Sequence, residues 1–188
     1  AFRGIETGEV GRMYNALGVQ PSGSDFNPGG FVLRVVNGTG GNLGLIVLNY
    51  VYVYRNDAGR ALDHHLDVAR LDATGAVVDS FSPASFSFLT PADAGPDVWS
   101  VEPLGGAIDV SSLGIAAGES LGLVFNFMDA GGSGSRDQGG IAALRVARML
   151  PDGGLPDGAD GRSDAGPSDA GTSMDASVFD AGGDAGMM

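Results

Sequence analysis

LGLIVLNYVYVYRND, residues 43–57, is the stretch whose reading decides the fold. From Leu45 to Tyr54 it is built of β-branched and aromatic residues, the types that suit a pleated, half-buried surface. Successive side chains of a strand point to opposite faces. That period puts Tyr50, Tyr52 and Tyr54 on one face and Val51 and Val53 on the other.

The flanking sequence continues in the same way. FVLRVVN (31–37) is a half-buried run that ends in the loop Asn37-Gly38-Thr39-Gly40-Gly41-Asn42. HHLDVARLD (64–72) and AVVDSF (76–81) flank Ala73-Thr74-Gly75, which reads as a hairpin connection. SFSFL (85–89), DVWSVEPL (97–104) and ESLGLVFNFM (119–128) follow as further strands. GIAALRVARML (140–150) has apolar residues at helical spacing, but it leaves a Gly-rich loop and reads as a closing strand. Turn signals recur every ~8–12 residues, a spacing of sandwiches and barrels rather than of alternating β and α units. The expected fold is all-β: an antiparallel β-sandwich, jelly-roll-like, over residues 1–150.

From Pro151 to Met188 the composition changes. Asp-Ala-Gly recurs at 164–166, 169–171, 180–182 and 184–186, and the segment holds eight Asp against one Arg. So little apolar surface does not offset an ordering cost of roughly 1–2 kcal/mol per residue, which predicts a disordered or extended acidic tail. If this tail docks, Met174, Val178 and Phe179 are its natural anchors, with its backbone added to a sheet edge.

Composition narrows the function. The 188 residues carry a net charge of −13, with no cysteine and no lysine. A phosphate backbone needs a basic face, so the charge argues against nucleic acid as a partner and against adsorption to an anionic membrane surface. A cationic partner, calcium or no electrostatic partner remain. The missing cysteines remove disulfides, thiolate zinc sites and cysteine nucleophiles. No apolar run reaches the length of a membrane-spanning helix. Ala1 fits the mature end left by signal cleavage and fits a trimmed chain equally well.

FVLRVVNGTGGNLGLIVLNYVYVYRND, VWSVEPL and IDVSSLGIAAGESLGLVFNFMDAGGSGSRDQGGIAALRV together resemble, over about residues 31–146, β-sandwich modules of large secreted bacterial proteins, jelly-roll or lectin-like in outline. The resemblance implies export to the cell surface or the extracellular space. Such modules close with an acidic pair in the last strand. GIAALRV lacks it, so no ligand role of that pair carries over. The Asp-Ala-Gly tail is similar to linkers of exported myxobacterial-type proteins.

Five constellations invite a chemical reading. Asp63-His64-His65 with Asp67 offers metal-ligand types, but neighbouring histidines on a strand point to opposite faces, and the run reads instead as an exposed strand start. The serines, including those of Gly132-Ser133-Gly134-Ser135, lack the setting of a nucleophile elbow. Glu102 and Glu119 are the candidate glycosidase pair. Asp129 and Asp137, around the Gly131–Gly134 loop, are candidate calcium ligands. Trp99, Tyr50, Tyr52 and Tyr54 are candidates for a glycan-stacking platform, or core residues with polar tips. Asn37-Gly38-Thr39 also fits a glycosylation sequon.

These readings converge on an exported, non-catalytic structural or adhesive module that assembles through a sandwich face or edge and its tail. Its expected partner is protein, self or another assembly component, and no cofactor is expected beyond calcium. A carbohydrate-binding module is the alternative, and a hydrolase the second alternative.

Overall fold

Alternation along Leu45–Arg55 becomes the two faces of one long strand, around which two sheets are built. The computed structural model describes residues 3–6, 15–19, 29–134, 136–149 and 176–178. Its strands are β1 (Arg3–Glu6), β2 (Asn15–Val19), β3 (Gly29–Val36), β4 (Leu45–Arg55), β5 (Arg60–Leu71), β6 (Val77–Phe81), β7 (Ser87–Leu89), β8 (Trp99–Asp109), β9 (Ser120–Gly132), β10 (Gln138–Arg148) and β11 (Ala176–Val178). The first sheet has the order β1-β2-β10-β4-β8, and the second β11-β3-β9-β5-β6, with β7 also pairing β5. Every pair of strands is antiparallel. The chain is thus all-β, as the alternation predicts, and residues 140–148 are strand rather than helix. Among the described residues no helix is long and apolar enough to cross a membrane.

The core fills the space between the sheets. Ile46, Leu48, Tyr50 and Tyr52 of β4 face Leu121, Leu123, Phe125 and Phe127 of β9 and Leu62, His64, Leu66 and Val68 of β5, all buried. Full burial of each such apolar side chain stabilises the fold by about 1.5–3 kcal/mol. Gly139 is required where β10 passes Tyr52: a Cβ there would lie 2.7 Å from the tyrosine oxygen and 2.7 Å from Leu62.

Turns are set by side chains that capture the backbone. Asp72 closes the β5–β6 hairpin by accepting the Thr74 and Ala76 N–H groups at 2.8 and 2.9 Å, and Gly75 supplies the left-handed φ of 89° that the turn needs. These hydrogen bonds, Thr74 hydroxyl first, hold the Asp72 carboxyl below its ordinary pKa. Asn37, the sequon residue, is wholly buried. Its amide donates to the carbonyls of Gly41 (2.8 Å) and Ile115 (3.1 Å), while its oxygen accepts from the Thr39 N–H (3.0 Å) and hydroxyl (2.6 Å). Both halves of the side chain are used to tie the loop after β3 to the one before β9. The sequon is therefore a loop clamp whose nitrogen faces no solvent.

Two substitutions check this account. Gly139→Ala should overpack the Tyr52 site and cost about 1–3 kcal/mol. Asn37→Asp, which deprives the Gly41 and Ile115 carbonyls of their donor, should also cost about 1–3 kcal/mol. In each case urea unfolding should show a lowered midpoint with an unchanged slope.

Candidate functional site

His64 is the polar centre of the core. It lies on β5 opposite Phe88 of β7 and Phe127 of β9, so the strand is covered on both sides at this point. The expectation of an exposed strand start at Asp63-His64-His65 is corrected: the run sits within β5, and His64 is fully buried. The reason is tertiary, since two partner strands and the opposite sheet close over it. The Asn126 carbonyl, 3.0 Å from His64 Nδ1, only accepts, so Nδ1 carries the proton. Nε2 then accepts from the Tyr50 hydroxyl at 2.9 Å. Tyr52 and Phe127 stack on the ring at centroid distances of 4.8 and 4.9 Å. Burial, with a smaller contribution from His65, lowers the His64 pKa from 6.5 to about 4 despite the opposing Asn126 hydrogen bond. Burial likewise pushes the Tyr50 hydroxyl well above its ordinary pKa. An imidazole with both nitrogens bonded and its ring stacked between aromatics serves as a neutral bridge between the sheets.

The rest of that cluster lies on the other face of β5. His65 is 3.9 Å from Asp63, and Asp67 accepts from Asn126 Nδ2 at 2.8 Å and from the Ser82 hydroxyl. Among the described residues, no three His, Asp or Glu side chains gather as a metal site. Glu102 lies on β8 opposite Tyr52 in the first sheet, whereas Glu119 accepts the Ala116 N–H at 2.8 Å in the turn before β9. Ser135 falls outside the described residues.

Asp129 and Asp137 are each engaged, with different partners. Asp129 Oδ2 is 2.6 Å from Arg60 Nη1 and 2.8 Å from Arg136 Nη2, and its other oxygen accepts the Gly131 N–H at 3.1 Å. Its burial favours the neutral acid, but the Gly131 N–H and the two guanidinium groups outweigh this and hold its pKa below the ordinary value. Asp137 is fully buried and accepts from the Thr90 hydroxyl (2.5 Å) and the Ala58 N–H (3.3 Å). That hydroxyl in turn accepts the Leu62 N–H at 2.7 Å. Burial raises the Asp137 pKa, partly offset by the Thr90 and Ala58 hydrogen bonds. One aspartate pins β9 to Arg60 and Arg136, and the other pins Thr90 and Ala58 to the start of β10.

The structure divides the aromatic set. Tyr50 and Tyr52 are buried between the sheets and Tyr54 is half-buried beside Tyr52 and Phe88. Trp99 stands directly across from Arg55, on the outer face of the same sheet. There it packs against a small cluster containing Val53, Ala142 and Val51. Val101 (38% exposed) and Pro103 continue the row along β8. A depression of about 440 Å³ on this side is bordered by Asn49, Val51, Pro103 and Gly105. Trp99 thus shares no platform with the tyrosines.

At the far side of the second sheet, β11 pairs with β3: Ala176 opposite Val35, Ser177 opposite Arg34 and Val178 opposite Leu33. Of the expected tail anchors, Val178 belongs to this strand, while Met174 and Phe179 lie outside the described residues. No protein-family model matches the sequence, and no curated protein is recognisably similar to it.

Sequence reasoning missed Asn126, Thr90 and Arg136. Arg136 and Asp129 flank one Gly-rich turn and offered a charge-pair signal. Thr90, far along the chain from Asp137, offered none.

The pH dependence of stability checks the His64 assignment. Between pH 6.5 and about 4 the unfolded chain binds a proton that buried His64 excludes, so stability falls as pH drops through this range. The full loss is on the order of 3 kcal/mol. Asp137, with its raised pKa, works in the opposite direction as pH approaches the ordinary carboxylate range. His64→Phe keeps Asp137 and removes the histidine, so urea unfolding from pH 7 to 4.5 should show a shallower decline than in the parent. Parallel declines would contradict a neutral, buried His64.

Proposed function

We propose that this chain is a non-catalytic structural or adhesive module of an exported assembly, and that it makes contact through the outer face of the first sheet. One observation carries the reading. The polar groups with chemical potential, His64, Asp129, Asp137 and Asn37, are bonded within the fold, while the Trp99–Val101–Pro103 row is presented along a sheet margin. Aromatic and apolar residues in such a row suit the core of a protein contact. Export rests on the resemblance to secreted bacterial modules and on the Asp-Ala-Gly tail. The finer jelly-roll-like reading is supported by the order of the long strands, since β3, β4 and β5, like β8, β9 and β10, alternate between the sheets.

Glycan binding is a second reading, favoured by the setting of Trp99. Its cross-strand neighbour Arg55 pairs with Asp57 at 3.1 Å and with Asp97, and the depression beside Asn49 opens on the same face. An aromatic ring with charged and amide neighbours is what a sugar face and its hydroxyls engage.

Trp99 is the single tryptophan, so its emission reports on this face alone. Self-assembly through the face predicts a blue shift as protein concentration rises, in step with increasing mass in sedimentation, and Val101→Glu should suppress both. A shift induced by soluble oligosaccharide without a mass change would favour the glycan reading. Emission indifferent to concentration and to sugars alike would remove this face as a contact surface.

A further inference from the structure

We infer that Asn37-Gly38 is a self-modification site gated by the fold. The clamped loop keeps the Asn37 amide intact, and once the loop opens, cyclisation with Gly38 converts the amide to an acid that cannot close the loop again. The inference concerns the loop between β3 and β4 and does not depend on the reading of the outer face of the first sheet.

The chemistry is that of the asparaginyl-glycine bond. The Gly38 backbone nitrogen, its proton lost to solvent, attacks Asn37 Cγ. The new Cγ–N bond closes a five-membered imide as the Cγ–Nδ2 bond breaks, and the departing nitrogen takes up a proton and leaves as ammonia. Water then adds to one of the imide carbonyls, which leaves aspartate or isoaspartate at this position. Glycine suits the attack because it has no side chain beside the nitrogen and its backbone turns freely. Of the seven asparagines in the chain, only Asn37 precedes a glycine. The nucleophile is accessible: Gly38 is exposed, and among the described residues its N–H has no hydrogen-bond partner.

The folded chain blocks the other partner. Asn37 is wholly buried, its Nδ2 donating to the Gly41 and Ile115 carbonyls and its Oδ1 accepting the Thr39 N–H and hydroxyl. Its backbone is held as well. The Asn37 N–H donates to the Glu119 carbonyl and the Asn37 carbonyl accepts the Gly118 N–H, both at 2.8 Å. Gly38 nitrogen is attached to that same carbonyl carbon. Bringing it onto Cγ takes a rotation about the Asn37 Cα–C bond, which breaks the Gly118 hydrogen bond, and a rotation of the side chain, which breaks the clamp. The product does not fit the loop. A carboxylate only accepts, so its oxygen would face the Gly41 and Ile115 carbonyls without a donor between them. Isoaspartate adds a methylene to the main chain. Either form leaves the loop after β3 untied from the turn before β9, and loss of ammonia to solvent makes the step one-way.

The test uses the full chain at mildly alkaline pH, where the Gly38 N–H ionises more readily, folded in buffer and unfolded in urea. Trypsin cleaves after Arg34 and Arg55, so residues 35–55 are released as one peptide, and its fragment masses locate the amide-to-acid change at Asn37 over time. With four side-chain hydrogen bonds to break, conversion should be on the order of 100-fold slower in the folded chain. Thr39→Val removes one of these bonds and should speed the folded-state reaction about fivefold without changing the unfolded-state rate. Gly38→Ala places its Cβ where no atom lies within 4 Å, and the position needs no left-handed φ. It should therefore keep the fold and slow the unfolded-state reaction. Equal rates in the folded and unfolded chain, or a folded-state rate indifferent to Thr39→Val, would overturn the gating. The converted chain, separated by its added negative charge and refolded, should unfold at lower urea than the parent. An unchanged midpoint would overturn the one-way opening.

Discussion

The Tyr50–His64 hydrogen bond crosses from one sheet to the other inside the core, and much of the structure is arranged around it. A buried hydroxyl and a buried imidazole are costly unless each finds a partner. Here the tyrosine satisfies one ring nitrogen and the Asn126 carbonyl the other, while Tyr52 and Phe127 cover the ring. The pair also fixes register. Sliding β4 or β5 by one residue would turn Tyr50 or His64 to an outer face and bring Val51 or His65 inward. An all-apolar layer would tolerate such a slip more readily, because hydrophobic contact has no direction.

The same economy applies to the other polar residues of the interior and loops. Asn37 ties two loops, Asp137 ties Thr90 and Ala58, and Asp129 holds two arginines. Each of these side chains has bonding partners inside the fold. That follows from the topology. Most long strands pair with partners distant in sequence, β3 with β9 and β4 with β8 and β10, so the ends of the sandwich are closed by long loops whose backbone groups need side-chain partners.

The strands were legible because their signal is local. The alternation of residues 45–54 assigns the tyrosines and valines to opposite faces of β4, and the β burial pattern agrees. Asp72 to Gly75 likewise carries its hairpin in adjacent residues. The candidate sites were less legible, since their members meet across the fold. Trp99 and the tyrosines look alike in composition, but the Arg55–Trp99 register puts the tryptophan on the face opposite to theirs. Asp63-His64-His65 looks like an exposed polar run because nothing nearby in sequence shows that β7 and β9 flank it.

By itself the sequence determined the all-β class, the positions of the long strands and the acidic, low-complexity character of residues 151–188, because these follow from side-chain periodicity, turn chemistry and composition. Only the tertiary structure decided which sheet each strand joins, that His64 is buried and neutral, that Asp129 and Asp137 are bonded separately, and that Ala176–Val178 lies along β3. The physical reason is that burial and hydrogen-bond partnership are properties of strands brought together from distant parts of the chain, and no local pattern records which strands those are.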